Sequence, residues 1–265
     1  MRPGDDLDAK FSLAREAARS AGSFLRSKLG SHLRVQAKDL RTNLVTEADT
    51  ASEALIKQLV LQHFPHDQFL GEEGGSSGAS GGDRWIVDPL DGTTNYFHGY
   101  RCFCVSIALE RDAVLEFGIV FDPMADEEFS ARRGGGAVLN GSALHVSAQA
   151  DLRDALLITG FPAHNVADQT ANLPPFTAFL SAAQAIRRDG SAALDLCYVG
   201  AGRVDGFWEP GLHAWDIAAG MLIVAEAGGR TSDYRGGGAT LDGARLVASN
   251  GHVHAAMLEV LAPYA

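Results

Sequence analysis

Residues 84–97 read RWIVDPLDGTTNYF: an apolar run meets two aspartates three apart around a proline, then passes at once into glycine and two threonines. The short apolar run predicts a strand that ends in Asp88 and Asp91, and Gly92-Thr93-Thr94 predicts the opening of a helix. An aspartate ahead of a helix caps free backbone N–H groups, which is enough to account for either residue singly. The pair demands more. Pro89 fixes one backbone angle and favours a tight turn, bringing both carboxylates towards one point at the end of the sheet. Two anions that close repel unless a cation lies between them.

Further carboxylates are available to such a cation. Glu72 precedes a glycine-rich stretch, and Asp216 in HAWDIAAG stands at a predicted helix start. Each has its own surface or capping explanation. Four carboxylates with no histidine or cysteine among them suit a hard cation such as Mg²⁺ rather than zinc, and the expected product is a site with more than one ion. The backbone N–H groups of Gly92, Thr93 and Thr94 would then face a phosphate oxygen at a helix N-terminus. Phosphate between metals and a helix start is an arrangement for phosphoryl transfer, with water the simplest acceptor. The sequence has no Walker-type loop and no kinase motif, so nothing points to a nucleotide donor.

Outward from this stretch, the chain divides in character. Apolar spacing through Phe11, Ala14, Ala18, Ala21 and Leu25 predicts a helix from Leu7 to about Leu29, ended by Gly30. After a polar turn, Asp49 and Thr50 lead into a second amphipathic helix that Pro65 stops. GGSSGASGG, residues 74–82, has nothing to pack and is expected to form a mobile surface loop. Four segments between residues 102 and 146 alternate as strands of an antiparallel sheet. From about residue 150, strands alternate with helices, including one over 173–183 and a last one over 252–261. The expectation is one compact unit with an α+β portion over 1–150 carrying most metal ligands and an α/β portion over 151–265 carrying substrate contacts and the last ligand.

Bulk properties narrow the function. The chain has 265 residues, 46% hydrophobic and 21% charged, the balance of an ordinary globular protein. No apolar run approaches the roughly 20 residues of a membrane span. The N-terminus lacks an apolar secretory core, so a cytoplasmic location is the expectation. A formal charge of -11 argues against nucleic acid or an anionic membrane as main partner, while bound cations still permit an anionic small substrate. Cys102, Cys104 and Cys197 have no zinc-type spacing and read as reduced, buried thiols.

The segments NLVTEAD (43–49), GEE (71–73), WIVDPLDGTTNYFHG (85–99), RRDGSAALDLCYVGAGRVDGFWE (187–209) and GLHAWDIAAG (211–220) resemble the inositol monophosphatase family over nearly the whole chain. That resemblance implies a layered αβαβα sandwich and a lithium-sensitive, Mg²⁺-dependent phosphomonoesterase, cytoplasmic and homodimeric. It implies that Glu72, Asp88 and the Leu90 carbonyl hold one ion, that Asp88, Asp91 and Asp216 hold a second, and that Glu72 touches a weaker third. It gives Asp49 and Thr93 the orientation and activation of water. Gly92 and Thr93 would hold phosphate, and Gly190, Ser191, Ala192 and Glu209 would contact substrate hydroxyls. His98 and His213 match no catalytic position and read as structural or rim residues. Serine at 191, where other members have threonine, says little about the substrate.

The leading expectation is hydrolysis of myo-inositol 1-phosphate or a similar polyol phosphate by direct attack of an activated water. Histidinol phosphatase, fructose 1,6-bisphosphatase and a phosphatase of 3'-phosphoadenosine nucleotides are the alternatives of like chemistry. A different class, a non-catalytic interaction module such as a partner of the transcription machinery, fits poorly with an intact set of Glu72, Asp88, Asp91 and Asp216.

Overall fold

The computed structural model describes residues 3–31, 35–37, 44–78, 82–162, 166–241 and 245–265. Asn43, most of the polar turn after the first helix, and residues 79–81 of the glycine-serine stretch lie outside them. Helix α1 (Pro3–Lys28) leads to a ribbon of β1 (Val35–Ala37) and β2 (Leu44–Thr46), then to α2 (Glu47–His63). Next come β3 (Gln68–Gly71), β4 (Gly75–Ser77), β5 (Arg84–Asp91) and the short α3 (Thr93–Phe97). A meander of β6 (Cys104–Arg111), β7 (Val114–Asp122), β8 (Glu127–Arg132), β9 (Gly136–Leu139) and β10 (Ser142–Ala143) completes an eight-stranded sheet ordered β10-β9-β8-β7-β6-β5-β3-β4. Its pairings are antiparallel as expected, except that β3 and β5 run parallel.

The rest of the chain alternates as expected: β11 (Leu156–Thr159), α4 (Val166–Ala171), α5 (Leu173–Ala182), β12 (Ala185–Arg187), α6 (Ala192–Gly200), β13 (Gly206–Pro210), α7 (Ala214–Glu226), β14 (Arg230–Ser232), β15 (Arg245–Ser249) and α8 (His254–Leu261). The five strands form a second sheet, ordered β12-β11-β13-β15-β14.

Four buried clusters stack these parts into layers. Ala14, Ala18, Ala21 and Leu25 of α1, with Ile56 and Val60 of α2, cover one face of the large sheet at Trp85, Val87, Ile107 and Phe117. Its other face, at Ile86, Ala108, Val120 and Phe129, packs on Ala193 and Cys197 of α6 and on Ala218 and Leu222 of α7. The same two helices turn Leu196, Ile217 and Val224 to the small sheet at Ile158, Phe207 and Ala248. Phe179 of α5 and Met257 of α8 close the far side of that sheet at Leu157, Trp208 and Val247. The order is helix, sheet, helix, sheet, helix, which is the expected αβαβα sandwich. Alternation along each strand sends successive side chains into different layers. At Gly118 an added Cβ would meet the backbone of Ala219 at 2.7 Å, so glycine there sets how closely α7 approaches β7.

Three local expectations are corrected. Helix α2 begins at Glu47 rather than after Asp49: Thr46 is its cap, and Asp49 sits three residues on in a capping box. Asp88 and Asp91 are joined by a bulge within β5, not by a turn. Asp88 pairs with Ser106 and Asp91 with Cys104, three steps on β5 against two on β6. Pro89 has no N–H for the ladder, so the extra residue is accommodated there. Within the glycine-serine stretch, residues 75–77 form β4, paired antiparallel to β3. Backbone hydrogen bonding needs no side chain to pack, and the open composition did not prevent a strand.

A buried histidine supplies a pH dependence far from the cleft. His254 is fully buried between the hydroxyls of Ser232 and Ser249, at 2.9 and 2.8 Å. Burial, aided by the Arg230 charge, pushes its pKa down to about 4. The neutral ring is the folded form, so its contribution is complete above the unfolded value of about 6.5 and is lost as pH falls from there towards 4. The stability advantage of wild type over His254→Gln is expected to shrink by about 2 kcal/mol between pH 7.5 and 4.5. Urea midpoints of both proteins across that range check this; an advantage that stays constant contradicts it.

Candidate active site

The bulge in β5, the short helix α3 and the starts of α6 and α7 meet at one cleft of about 720 Å³. Glu72, Asp88, Leu90, Asp91, Gly92, Thr93, Ser191, Glu209 and Asp216 are among the residues that line it. The two expected halves of the site, far apart in sequence, therefore share one space.

The fold holds each aspartate by one oxygen. Asp88 Oδ1 accepts from the Leu90 backbone N–H at 3.0 Å. Asp91 Oδ2 accepts from the Ser191 hydroxyl at 2.7 Å and the Ala193 N–H at 2.8 Å, so the N-terminus of α6 points at this carboxylate. Asp216 Oδ2 accepts from the His213 N–H at 2.7 Å and caps α7. All three residues line the cleft.

Asp49 is fully buried beside them. Its Oδ2 caps α2 through the Thr46 N–H at 2.9 Å and the Thr46 hydroxyl at 2.5 Å. Its Oδ1 accepts from the Thr93 hydroxyl at 2.8 Å, and the same hydroxyl lies 3.1 Å from the Leu90 carbonyl. Gly92, which precedes α3, has φ 97°, and a Cβ there would meet the Cys102 carbonyl at 2.8 Å. That backbone is open to glycine and strained for other residues.

The charges are unbalanced. Burial, with Glu72, Asp91 and Asp216 nearby, holds the Asp88 carboxyl well above the usual range. Asp216 is raised by burial, Asp91 and Glu72, and lies within hydrogen-bonding reach of Asp88. Asp91 is raised by burial despite the donors of α6. Glu209 is raised by burial, then by Asp216 and Asp91, with Arg188 the opposing charge. Among the described residues no three His, Cys, Asp or Glu side chains stand ready-grouped around an ion. What the set has in common is hard oxygen donors and a deficit of positive charge, which is the chemistry a hard cation satisfies.

A family model described as "Inositol monophosphatase family" matches residues 6–264. The chain belongs to the inositol monophosphatase family. It is thereby a phosphatase. An inositol-1-monophosphatase of Rhizobium meliloti is 43% identical over 256 residues, covering 96% of this chain and 94% of that protein. A relative named Nus factor SuhB, from Pseudomonas aeruginosa, is 44% identical and covers 97% of each. Among solved structures, the extragenic suppressor protein suhB of Bartonella henselae superposes with a TM-score of 0.91 at 39% identity, covering 96% of this chain and 98% of that one.

Within this family site, Ser191 has a nearer task than substrate. It is buried, and its hydroxyl proton is already given to Asp91. Gly190 (φ 83°) and Ala192 line the cleft beside it. His98 and His213 lie on the lining, the latter stacked on Trp215 with ring centroids 4.7 Å apart, in keeping with rim positions. Cys104 and Cys197 are fully buried, and Cys102 is partly so; burial raises all three thiols.

Two supports on α2 are not evident in the sequence. Ser52 donates to the Pro89 carbonyl at 2.9 Å, satisfying a group that the bulge frees. Glu53 accepts from the Glu73 N–H at 2.8 Å, and its carboxylate fills space that a Cβ on Gly71 or Gly74 would take. Both read as polar positions of an amphipathic helix, and only the pairing of glycines around 71–74 hinted at a close neighbour.

Proposed function

We propose that the chain is a Mg²⁺-dependent phosphomonoesterase that hydrolyses myo-inositol 1-phosphate or a similar polyol phosphate. The observation that carries this reading is the shared cleft: carboxylates raised by one another, a threonine hydroxyl that donates to the buried Asp49, and a buried glutamate border one space. Glu72, Asp88, Asp91, Asp216 and the Leu90 carbonyl would hold two to three Mg²⁺ ions. Bound there, the ions would neutralise the phosphate, lower the pKa of an attacking water and stabilise charge on the departing alcohol.

The chain's own residues divide the rest of the work. Asp49, through the Thr93 hydroxyl, orients the water and takes up its proton. The backbone of Gly92 and Thr93 positions the phosphate. The water oxygen forms a bond to phosphorus in line with the ester oxygen, whose bond breaks, giving inorganic phosphate and the free alcohol after protonation. Glu209, an acceptor only when ionised, faces the alcohol's hydroxyls together with Gly190 and Ala192. No side-chain nucleophile is required.

Phosphate release from inositol 1-phosphate, fructose 1,6-bisphosphate, histidinol phosphate and a 3'-phosphonucleotide, each with Mg²⁺, tests the substrate. The expected order puts inositol 1-phosphate first. A strong preference for histidinol phosphate, whose amine would also suit Glu209, overturns it.

Relatives named Nus factor SuhB support a second reading, an interaction role beside catalysis. A chain made inactive by Asp91→Asn that still rescues a deletion strain favours that role; loss of rescue together with activity favours catalysis alone.

A further inference from the structure

Behind the alcohol end of the cleft lies a buried polar relay that the proposed chemistry does not use. Asn172 immediately precedes α5, at the position where an asparagine side chain ordinarily caps the helix. It makes no such cap. Although Thr170 and Leu173 on either side line the cleft, Asn172 is fully buried and reaches into the small sheet.

There it joins two neighbouring strands, β11 and β13. Its Nδ2 donates to the Gly160 carbonyl at 2.6 Å and to the Thr159 hydroxyl at 3.1 Å, just beyond the end of β11. Its Oδ1 accepts from the Trp208 indole N–H of β13 at 2.8 Å. The Thr159 hydroxyl in turn donates to the Trp208 carbonyl at 2.5 Å. Phe179 lies on the Trp208 ring, centroids 4.2 Å apart, and all four side chains of this group are fully buried. Every donor and acceptor of the Asn172 amide that these bonds use is committed, so the amide has one orientation.

Glu209 follows Trp208, and its carboxylate rests directly against the Gly160 backbone: a Cβ on Gly160 would fall inside both carboxylate oxygens. Gly160 and Glu209 both line the cleft. The relay therefore fixes the spacing between the residue that presents the carboxylate and the residue that backs it.

We infer that Asn172 is a positioning residue for leaving-group selection: by tying Gly160 to Trp208 it holds Glu209 where the substrate's alcohol lies, and so sets preference for hydroxyl-rich alcohols over plain ones. This rests on the reading of Glu209 as the group that faces the alcohol. A carboxylate displaced by a fraction of an ångström loses hydrogen bonds to hydroxyls, while the phosphate end of the cleft keeps its own supports on β5 and α2.

The test compares kcat/KM for inositol 1-phosphate with that for phenyl phosphate, whose leaving group bears no further hydroxyls. Gly160→Ala, Asn172→Ala and Glu209→Gln are each first checked for a cooperative melt. Trp208→Phe, which keeps the ring on Phe179 and removes the indole donor, replaces Asn172→Ala if that variant does not fold. The ratio is expected to fall roughly 10- to 100-fold in all three, the range for losing hydrogen bonds to one charged group. Gly160→Ala combined with Glu209→Gln is expected to fall no further than Glu209→Gln alone. A ratio lowered by Glu209→Gln but untouched by Gly160→Ala and Asn172→Ala overturns the positioning role and leaves the Glu209 reading standing. A ratio untouched in all three overturns both, and equal losses on the two substrates show general damage and overturn the positioning role.

Discussion

Asp91→Asn is expected to lose about 10³-fold in Mg²⁺-dependent phosphate release, the loss of about 4 kcal/mol of electrostatic support in the transition state. The protein is expected to fold as well as wild type, or better, when chelator is present. The reason lies in the division of labour between the two oxygens of Asp91. One oxygen accepts from Ser191 and Ala193, and an asparagine carbonyl accepts the same bonds. The other position becomes an NH₂ group beside Asp88 and Asp216, which are themselves raised by the Asp91 charge. Removing one anion from a buried cluster of like charges relieves repulsion. Mg²⁺ then reverses the order of stability, because a cation that binds only the folded state stabilises in proportion to its occupancy. Melting curves with EDTA and with Mg²⁺ read this directly: wild type gains from Mg²⁺ and the variant gains far less. Wild-type turnover in Asp91→Asn would remove this carboxylate from the chemistry.

Thr93→Val should lower kcat by roughly 10²- to 10³-fold while leaving KM within about threefold, the span for losing a positioned proton acceptor rather than a binding contact. Valine keeps the shape of threonine and removes the hydroxyl that joins Asp49 to the Leu90 carbonyl. Asp49 keeps its Thr46 bonds on Oδ2 but loses the donor on Oδ1. Fully buried, that oxygen is left without its donor, so a stability loss of about 1–3 kcal/mol accompanies the fall in rate. Thr93→Ser retains the hydroxyl and is expected to recover activity to within about tenfold of wild type. Equal losses in the valine and serine variants, or a change confined to KM, would separate Thr93 from the attacking water.

Much of this site was legible because the chemistry sits in short, continuous stretches. RWIVDPLDGTTNYF carries a strand, two carboxylates, a left-handed glycine and the threonine that meets Asp49, and HAWDIAAG carries Asp216 at its helix start. The apolar alternation of the strands and the helical spacing of α1 gave the layers for the same reason: each burial pattern is local in sequence. From the sequence alone, capping and ligation are rival explanations of the aspartates. In the structure the two explanations do not compete: Asp49 caps α2 with one oxygen and meets the Thr93 hydroxyl with the other, and Asp216 both caps α7 and lines the cleft.

What was not legible depends on contacts between distant segments. A bulge and a turn both follow from Pro89, and only the register of β5 on β6 separates them. The commitment of Ser191 to Asp91 spans a hundred residues of sequence. Ser52, Glu53 and Asn172 look like ordinary polar positions until the backbone they satisfy is seen. Residues 75–77 formed a strand despite their composition because their partner is β3, whose demand on them is made by backbone alone.

The cleft's carboxylates, on this mechanism, serve a cation that hydrolysis requires. Phosphate release from inositol 1-phosphate by protein stripped with EDTA, then titrated with Mg²⁺, tests it most directly. The stripped protein is expected to release nothing above background and to recover fully as Mg²⁺ is restored, with Asp91→Asn failing to recover at any Mg²⁺ concentration that saturates wild type. Hydrolysis that persists undiminished after stripping would contradict it.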